Sequence, residues 1–211
     1  MARLVTWHSP ADRASLEEAL TVIRRGGIVA CPTETYYGLA VDAFQETALA
    51  RVLALKGRPV GKPLLVLVAD LDMVEQVALI VPPQAQQLMV RFWPGPLTLV
   101  LPARPDLPGQ LTAGTGTIGV RQSSHPLALS LTAAYGRPLT GTSANRAGQP
   151  PLVTAVEVER EMGPELDLIM DSGPCPGGLA STVLDLSQEP PRLVRAGAIP
   201  KTALAAWIDL I

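Results

Sequence analysis

Short apolar runs of strand length alternate with stretches of helical apolar spacing along the whole of this 211-residue chain, and that interleaving is the strongest constraint on its fold. Residues 15–25 place Leu16, Ala19, Leu20 and Ile23 on one helical face, with Gly26 and Gly27 as a stop and a strand over 28–31 behind them. Thr47 is positioned to cap a helix whose Leu49, Val52 and Leu53 face inward and which ends near Lys56 and Gly57. A continuous apolar strand over 64–68 suits burial on both faces. Ala85, Leu88, Met89 and Phe92 keep helical spacing up to the turn at 93–96. Further strands are expected at 97–101, 118–121, 138–141, 168–170, 182–186 and 193–195, and helices at 127–135, 155–162 and 202–208. This order predicts an α/β fold, one domain built on a mixed sheet flanked by helices, with its core over about 13–199 and a C-terminal helix over about 201–210.

Composition narrows the class. Hydrophobic residues make up 47%, enough for a substantial core. The apolar run at 64–69 is far too short to cross a bilayer, and the first ten residues lack a charged start followed by an apolar signal core, so a soluble cytoplasmic protein with no membrane partner is expected. Two cysteines, Cys31 and Cys175, supply neither a disulfide framework nor a cysteine-rich zinc site and read as buried small hydrophobes. Two histidines leave little material for zinc catalysis or a Ser-His-Asp triad; His125, before Pro126, reads as a turn or capping residue. A net charge of −2 argues against a surface built to coat nucleic acid. Residues 47–69 and 107–156 nevertheless carry seven bases and no acid, which suggests an internal anion site.

Polar clusters recur at strand edges, where open α/β folds place ligands. Residues 32–39 offer the Thr33 and Thr35 hydroxyls and the Glu34 carboxylate. Lys56 and Arg58, two apart in a Gly/Pro-stiffened turn with Lys62 close behind, make a phosphate-binding layout. A Gly/Thr loop at 113–117 leads into a strand ending in Arg121; with no Gly-Lys-Ser/Thr it is no Walker loop. Thr142, Ser143 and Asn145 follow another strand, residues 176–182 precede the strand ending in Asp185, and Arg195 closes the series. Glu34, Asp171 and Asp185 are the carboxylates available to magnesium.

The segments PTETYYGL at 32–39, KGRP at 56–59, KPL at 62–64, WPGPLT at 93–98, VR at 120–121, SAN at 143–145, STVLD at 181–185 and RAG at 195–197 together resemble the YrdC/TsaC family of threonylcarbamoyl-AMP synthases. The resemblance runs in order over most of the chain, and its paired KxR and SxN signatures are specific. It implies a single YrdC-like domain, a twisted mixed sheet with a concave, positively charged groove. It implies condensation of L-threonine, bicarbonate and ATP to threonylcarbamoyl-adenylate and pyrophosphate, a nucleotidyltransferase reaction with magnesium entering on ATP. A TsaD/TsaB/TsaE-like transferase complex would then move the threonylcarbamoyl group onto tRNA.

Carried over residue by residue, the resemblance gives the triphosphate to Lys56, Arg58 and Lys62, with Thr117, Ser143, Asn145 and Arg195 assisting and Lys56 and Arg58 as catalytic groups. It gives threonine to Thr35, Arg121 and Ser181, with Arg121 on the carboxylate. Many longer relatives carry histidine where Leu67 stands and append a second domain, so the resemblance is to the single-domain bacterial form. A similar domain occurs in hydrogenase-maturation carbamoyltransferases, but their cysteine-rich zinc fingers and acylphosphatase-like segment have no counterpart in this sequence. The competing reading is an RNA-binding or ribosome-maturation module using the same basic groove to hold RNA weakly.

Overall fold

A computed structural model describes residues 2–57 and 63–208. Arg58 and Lys62, both expected at the triphosphate, lie outside the described residues. The mixed α/β class holds, and the strands divide between two mixed sheets rather than one.

The first sheet contains β1 (Arg3–Thr6), β2 (Val29–Pro32), β3 (Tyr37–Ala40), β8 (Thr142–Ser143) and β9 (Leu168–Asp171), ordered β1-β9-β2-β3-β8. Successive side chains on a strand face opposite ways, and here both faces are apolar. On β2, Val29 and Cys31 join a small core with Leu20 and Ile23 of α1 (Arg13–Arg24) and Leu127 and Leu131 of α6 (Pro126–Tyr135). Ala30 between them turns the other way, into the main core. Leu168 and Met170 on β9 follow the first pattern, Ile169 the second. β1 was not expected from the sequence; its parallel pairing with β9 and the burial of Trp7 extend the packed structure to the start of the chain.

The second sheet contains β4 (Leu65–Leu67), β5 (Leu97–Pro102), β6 (Thr117–Arg121), β7 (Leu139–Thr140), β10 (Thr182–Asp185) and β11 (Arg192–Arg195), ordered β11-β10-β5-β6-β4-β7. Leu97, Leu99, Leu101, Ile118, Val120 and Leu184 enter the main core from one face. That core also takes Leu49, Val52 and Leu55 of α2 (Glu46–Lys56), Ala85 and Leu88 of α4 (Pro83–Phe92) and Val158 of α7 (Ala155–Met162).

Local signals mostly held. His125 does cap α6, its Nδ1 accepting from the Leu127 N–H at 3.2 Å. Both cysteines are buried, and burial pushes the Cys31 thiol up to about 12 and Cys175 up to about 11. Thr47 does not cap α2: the helix begins one residue earlier, at Glu46, with Gln45 before it. The strand expected over 138–141 splits into β7 and β8 because the chain passes from one sheet to the other at Gly141. There a β-carbon would stand 2.7 Å from Leu67 Cγ, so only glycine lets the crossing pack on that side chain. The C-terminal helix α8 spans Lys201–Ala205, shorter than expected. Among the described residues, no helix is long and apolar enough to cross a membrane.

Candidate active site

The outward face of the second sheet floors a cavity of about 830 Å³. Thr98 and Val100 of β5, Thr117, Gly119 and Arg121 of β6, and Val183 and Asp185 of β10 line it, each at the alternate position to a core residue. Strict alternation carries this wall until β11. There the register shifts by one residue between Val183 and Leu184: Leu184 pairs with Leu193, but Val183 pairs with Arg195 instead of Val194. This bulge brings Arg195 onto the cavity side, the re-aiming that bulges are used for. Gly197 then packs against the strand entrance; a β-carbon there would lie 2.3 Å from the Ala180 carbonyl oxygen, which explains glycine in the RAG segment.

The opposing wall belongs to the first sheet. Residues 33–36 form the tight turn of the β2–β3 hairpin. Thr33 Oγ1 donates to the Tyr36 carbonyl (2.7 Å), accepts from the N–H groups of Thr35 and Tyr36 (both 3.2 Å) and lies 3.0 Å from Thr35 Oγ1. Tyr36 donates its hydroxyl to the Gly178 carbonyl (2.7 Å), tying the hairpin to the 176–180 loop. Ser143 of β8 closes this side.

Of the residues expected at the site, Thr35, Thr117, Arg121, Ser143, Ser181 and Arg195 line this one cavity. Lys56 and Asn145 stand just behind it. The Lys56 ammonium, 5% exposed at the end of α2, donates to the Ser143 carbonyl and to the Asn145 carbonyl and Oδ1, both at 3.1 Å. Ser143 Oγ donates to the same Asn145 Oδ1 at 2.6 Å. The KxR and SxN signatures therefore meet in space through Lys56.

Ser181 is the hub of the opposite side. Its hydroxyl lies 2.8 Å from Thr98 Oγ1 and accepts from Arg195 Nη2 (3.0 Å), while its carbonyl accepts from Arg195 Nε (3.0 Å) and Nη2 (2.8 Å). Arg121 differs. It is 3% exposed, its Nε lies 3.5 Å from Glu34 Oε1, and neither of those two atoms has a hydrogen-bond partner among the described residues. Burial pushes its guanidinium below the ordinary value; Glu34 opposes that shift and Arg195 adds to it. Burial lowers Arg195 as well, against the pull of Tyr36. A buried, charge-bearing fork facing a cavity is suited to a carboxylate or phosphate.

Thr98 and Arg192 also line the cavity and were not singled out in the sequence. Thr98 lies within the WPGPLT segment, and the alternation of Leu97, Leu99 and Leu101 on the core face of β5 would have found it. Arg192 had no local signal, since its place opposite Asp185 depends on strand pairing. The acid-free segments proved a weaker guide than they looked, because their bases find acids elsewhere. Arg51 pairs with Asp167, Arg137 with Asp42 and Arg146 with Glu165. The three carboxylates considered for magnesium do not gather. Glu34 accepts from Ser123, Asp171 from Tyr37 and Gly173, and Asp185 from Ser187. Among the described residues no group of three or more His, Cys, Asp or Glu side chains could hold a metal ion.

Fold and cavity together define an α/β protein in which two mixed sheets hold a cleft lined by arginines and hydroxyls. The Sua5/YciO/YrdC family model, described as "Telomere recombination", matches residues 21–197, and the chain belongs to that family. It is 42% identical over 178 residues to a threonylcarbamoyl-AMP synthase of Pyrococcus abyssi, covering 84% of this chain and 52% of that protein. It is 40% identical over 208 residues to one of Bacillus subtilis, covering 98% and 60%. The chain thus spans between half and two thirds of the length of these curated relatives. Among solved structures, Pyrococcus abyssi Sua5 complexed with L-threonine superimposes with a TM-score of 0.92 at 36% identity, over 100% of this chain and 62% of that one. Escherichia coli YciO matches with a TM-score of 0.86 at 27% identity, over 94% and 97%.

Proposed function

We propose that this protein joins L-threonine, bicarbonate and ATP into L-threonylcarbamoyl-adenylate and pyrophosphate, as a nucleotidyltransferase in tRNA threonylcarbamoylation. The observation that carries the reading is Arg121, a buried guanidinium in a cavity wall whose only ion-pair partner among the described residues is Glu34 at 3.5 Å. Its terminal nitrogens supply the fork for the threonine carboxylate. Thr35 and Ser181, across the cavity from each other, supply hydroxyls for the remaining polar groups. The names of the relatives, and the threonine complex of one of them, support the same substrate.

The threonine amine, once deprotonated, attacks the carbon of bicarbonate, whose C–O bond breaks with loss of water, or of carbon dioxide, with the second amine proton passing to solvent, and forms an N-carboxylate. A carboxylate oxygen of that group attacks the α-phosphorus of ATP, and the bond to the bridging oxygen breaks as pyrophosphate leaves. The threonine carboxylate, the N-carboxylate and ATP are all anionic, so the residues' main task is to bring like charges together and hold them. Arg195, fixed on Ser181, and Thr117, at the other end of β6 from Arg121, are proposed at the nucleotide. Lys56, Ser143 and Asn145 are proposed there too, and Arg58 and Lys62 with them. Magnesium is proposed only as the ion that ATP carries. The product would pass to a TsaD/TsaB/TsaE-like transferase assembly in the cytoplasm. The names of the relatives favour this reading over an RNA-binding module.

The test is pyrophosphate release with ATP, bicarbonate and each amino acid in turn. Threonine-dependent release is expected, and no stimulation by threonine overturns the reading. Arg121→Lys keeps the charge opposite Glu34 but loses the planar fork, so kcat/KM for threonine should fall by about thirtyfold or more with the melting temperature little changed.

A further inference from the structure

Glu34 occupies the middle of the hairpin turn yet is not among the residues lining the cavity. Its side chain, 12% exposed, turns instead toward the wall of the other sheet. There Oε2 accepts a hydrogen bond from the buried Ser123 hydroxyl, and Ser123 in turn accepts from the His125 N–H at 3.2 Å, at the cap of α6. So anchored, the carboxylate presents Oε1 to Arg121 Nε at 3.5 Å, close enough to pair as ions and too poorly aligned to hydrogen-bond. An isolated guanidinium buried to this degree is strongly disfavoured, and a fixed countercharge is what permits it. A countercharge held at the Nε edge leaves the two terminal nitrogens, which have no hydrogen-bond partner among the described residues, as a fork toward the cavity.

We infer that Glu34 is a positioning residue: fastened by Ser123, it holds the Nε edge of Arg121 so that the opposite edge meets the carboxylate of the amino-acid substrate. The inference rests on the proposed function for the identity of that substrate. Ser123 and Glu34 together bind the two sheets across the cavity at the point where the amino acid lies.

The experiment is calorimetric titration of the whole protein with L-threonine and, separately, with ATP, for the wild type, Glu34→Gln and Ser123→Ala. Glu34→Gln should weaken threonine by about tenfold and Ser123→Ala by roughly threefold, with ATP affinity within about twofold in both. Threonine affinity unchanged in Glu34→Gln, or threonine and ATP weakened alike, overturns the positioning role. If Glu34→Gln does not fold, Ser123→Ala decides: selective weakening of threonine upholds the inference and unchanged binding refutes it. A wild type that binds ATP but no threonine brings down the functional reading and this inference with it. Wild-type threonine binding with unaltered variants brings down the inference alone.

Discussion

The two walls of the cavity are built from the same kinds of residue but use them differently. On the first sheet the polar groups satisfy each other: Thr33 locks its own turn, and Lys56, Ser143 and Asn145 close a compact hydrogen-bonded cluster. On the second sheet, Thr98, Ser181 and Arg195 are joined in a chain, while Arg121 keeps donors without partners among the described residues. One wall is a rigid template; the other holds unspent donors for a ligand. The lesson is that a preorganised site needs both, because donors aimed at a ligand stay aimed only if their surroundings are already satisfied.

Lys56→Ala attacks the template directly. It removes the cation that draws the 143–145 segment together and leaves half-buried acceptors without their ammonium donor, so adenylate formation should be lost and stability lowered by about 1–3 kcal/mol, read by pyrophosphate release and chemical denaturation. Full turnover in that variant would break the distinction between the walls. Gly197→Ala strikes the base of the open wall. With a β-carbon 2.3 Å from the Ala180 carbonyl, the strand must shift, costing about 1–3 kcal/mol and moving Arg195 and Ser181 together. A normal melting temperature with unaltered ATP affinity would show that the close packing there does not position the arginine. Thr98→Val sharpens the comparison most gently. It deletes one hydroxyl from the chain through Ser181, and a loss of about 1 kcal/mol in binding, a fewfold change in KM, is expected in steady-state kinetics.

Much of the architecture could be read before any coordinates. α7 spans the residues expected of it, α1, α4 and α6 agree within two residues, and His125 caps as its place before Pro126 suggested. β1, α3 (Leu71–Glu75) and α5 (Gly109–Thr112) escaped because four or five residues do not establish a period. β3 was hidden by the polar turn in front of it and the glycine within it. Six of the ten residues expected at the site share one cavity, two more stand directly behind it, and the remaining two lie outside the described residues.

What the chain alone determined is local: where helices and strands run, which face of each strand is apolar, and that polar groups gather at strand ends. These follow from backbone geometry, which repeats every two residues in a strand and every 3.6 in a helix whatever the rest of the molecule does. Tertiary structure alone decided the division into two sheets, the bulge that turns Arg195 inward and the fate of each cation. Arg51, Arg137 and Arg146 meet carboxylates from distant segments at the surface, whereas Arg121 meets one that steadies it and leaves it open. Such outcomes depend on which remote side chains come together and how much water is excluded when they do, and neither is written in any short stretch of sequence.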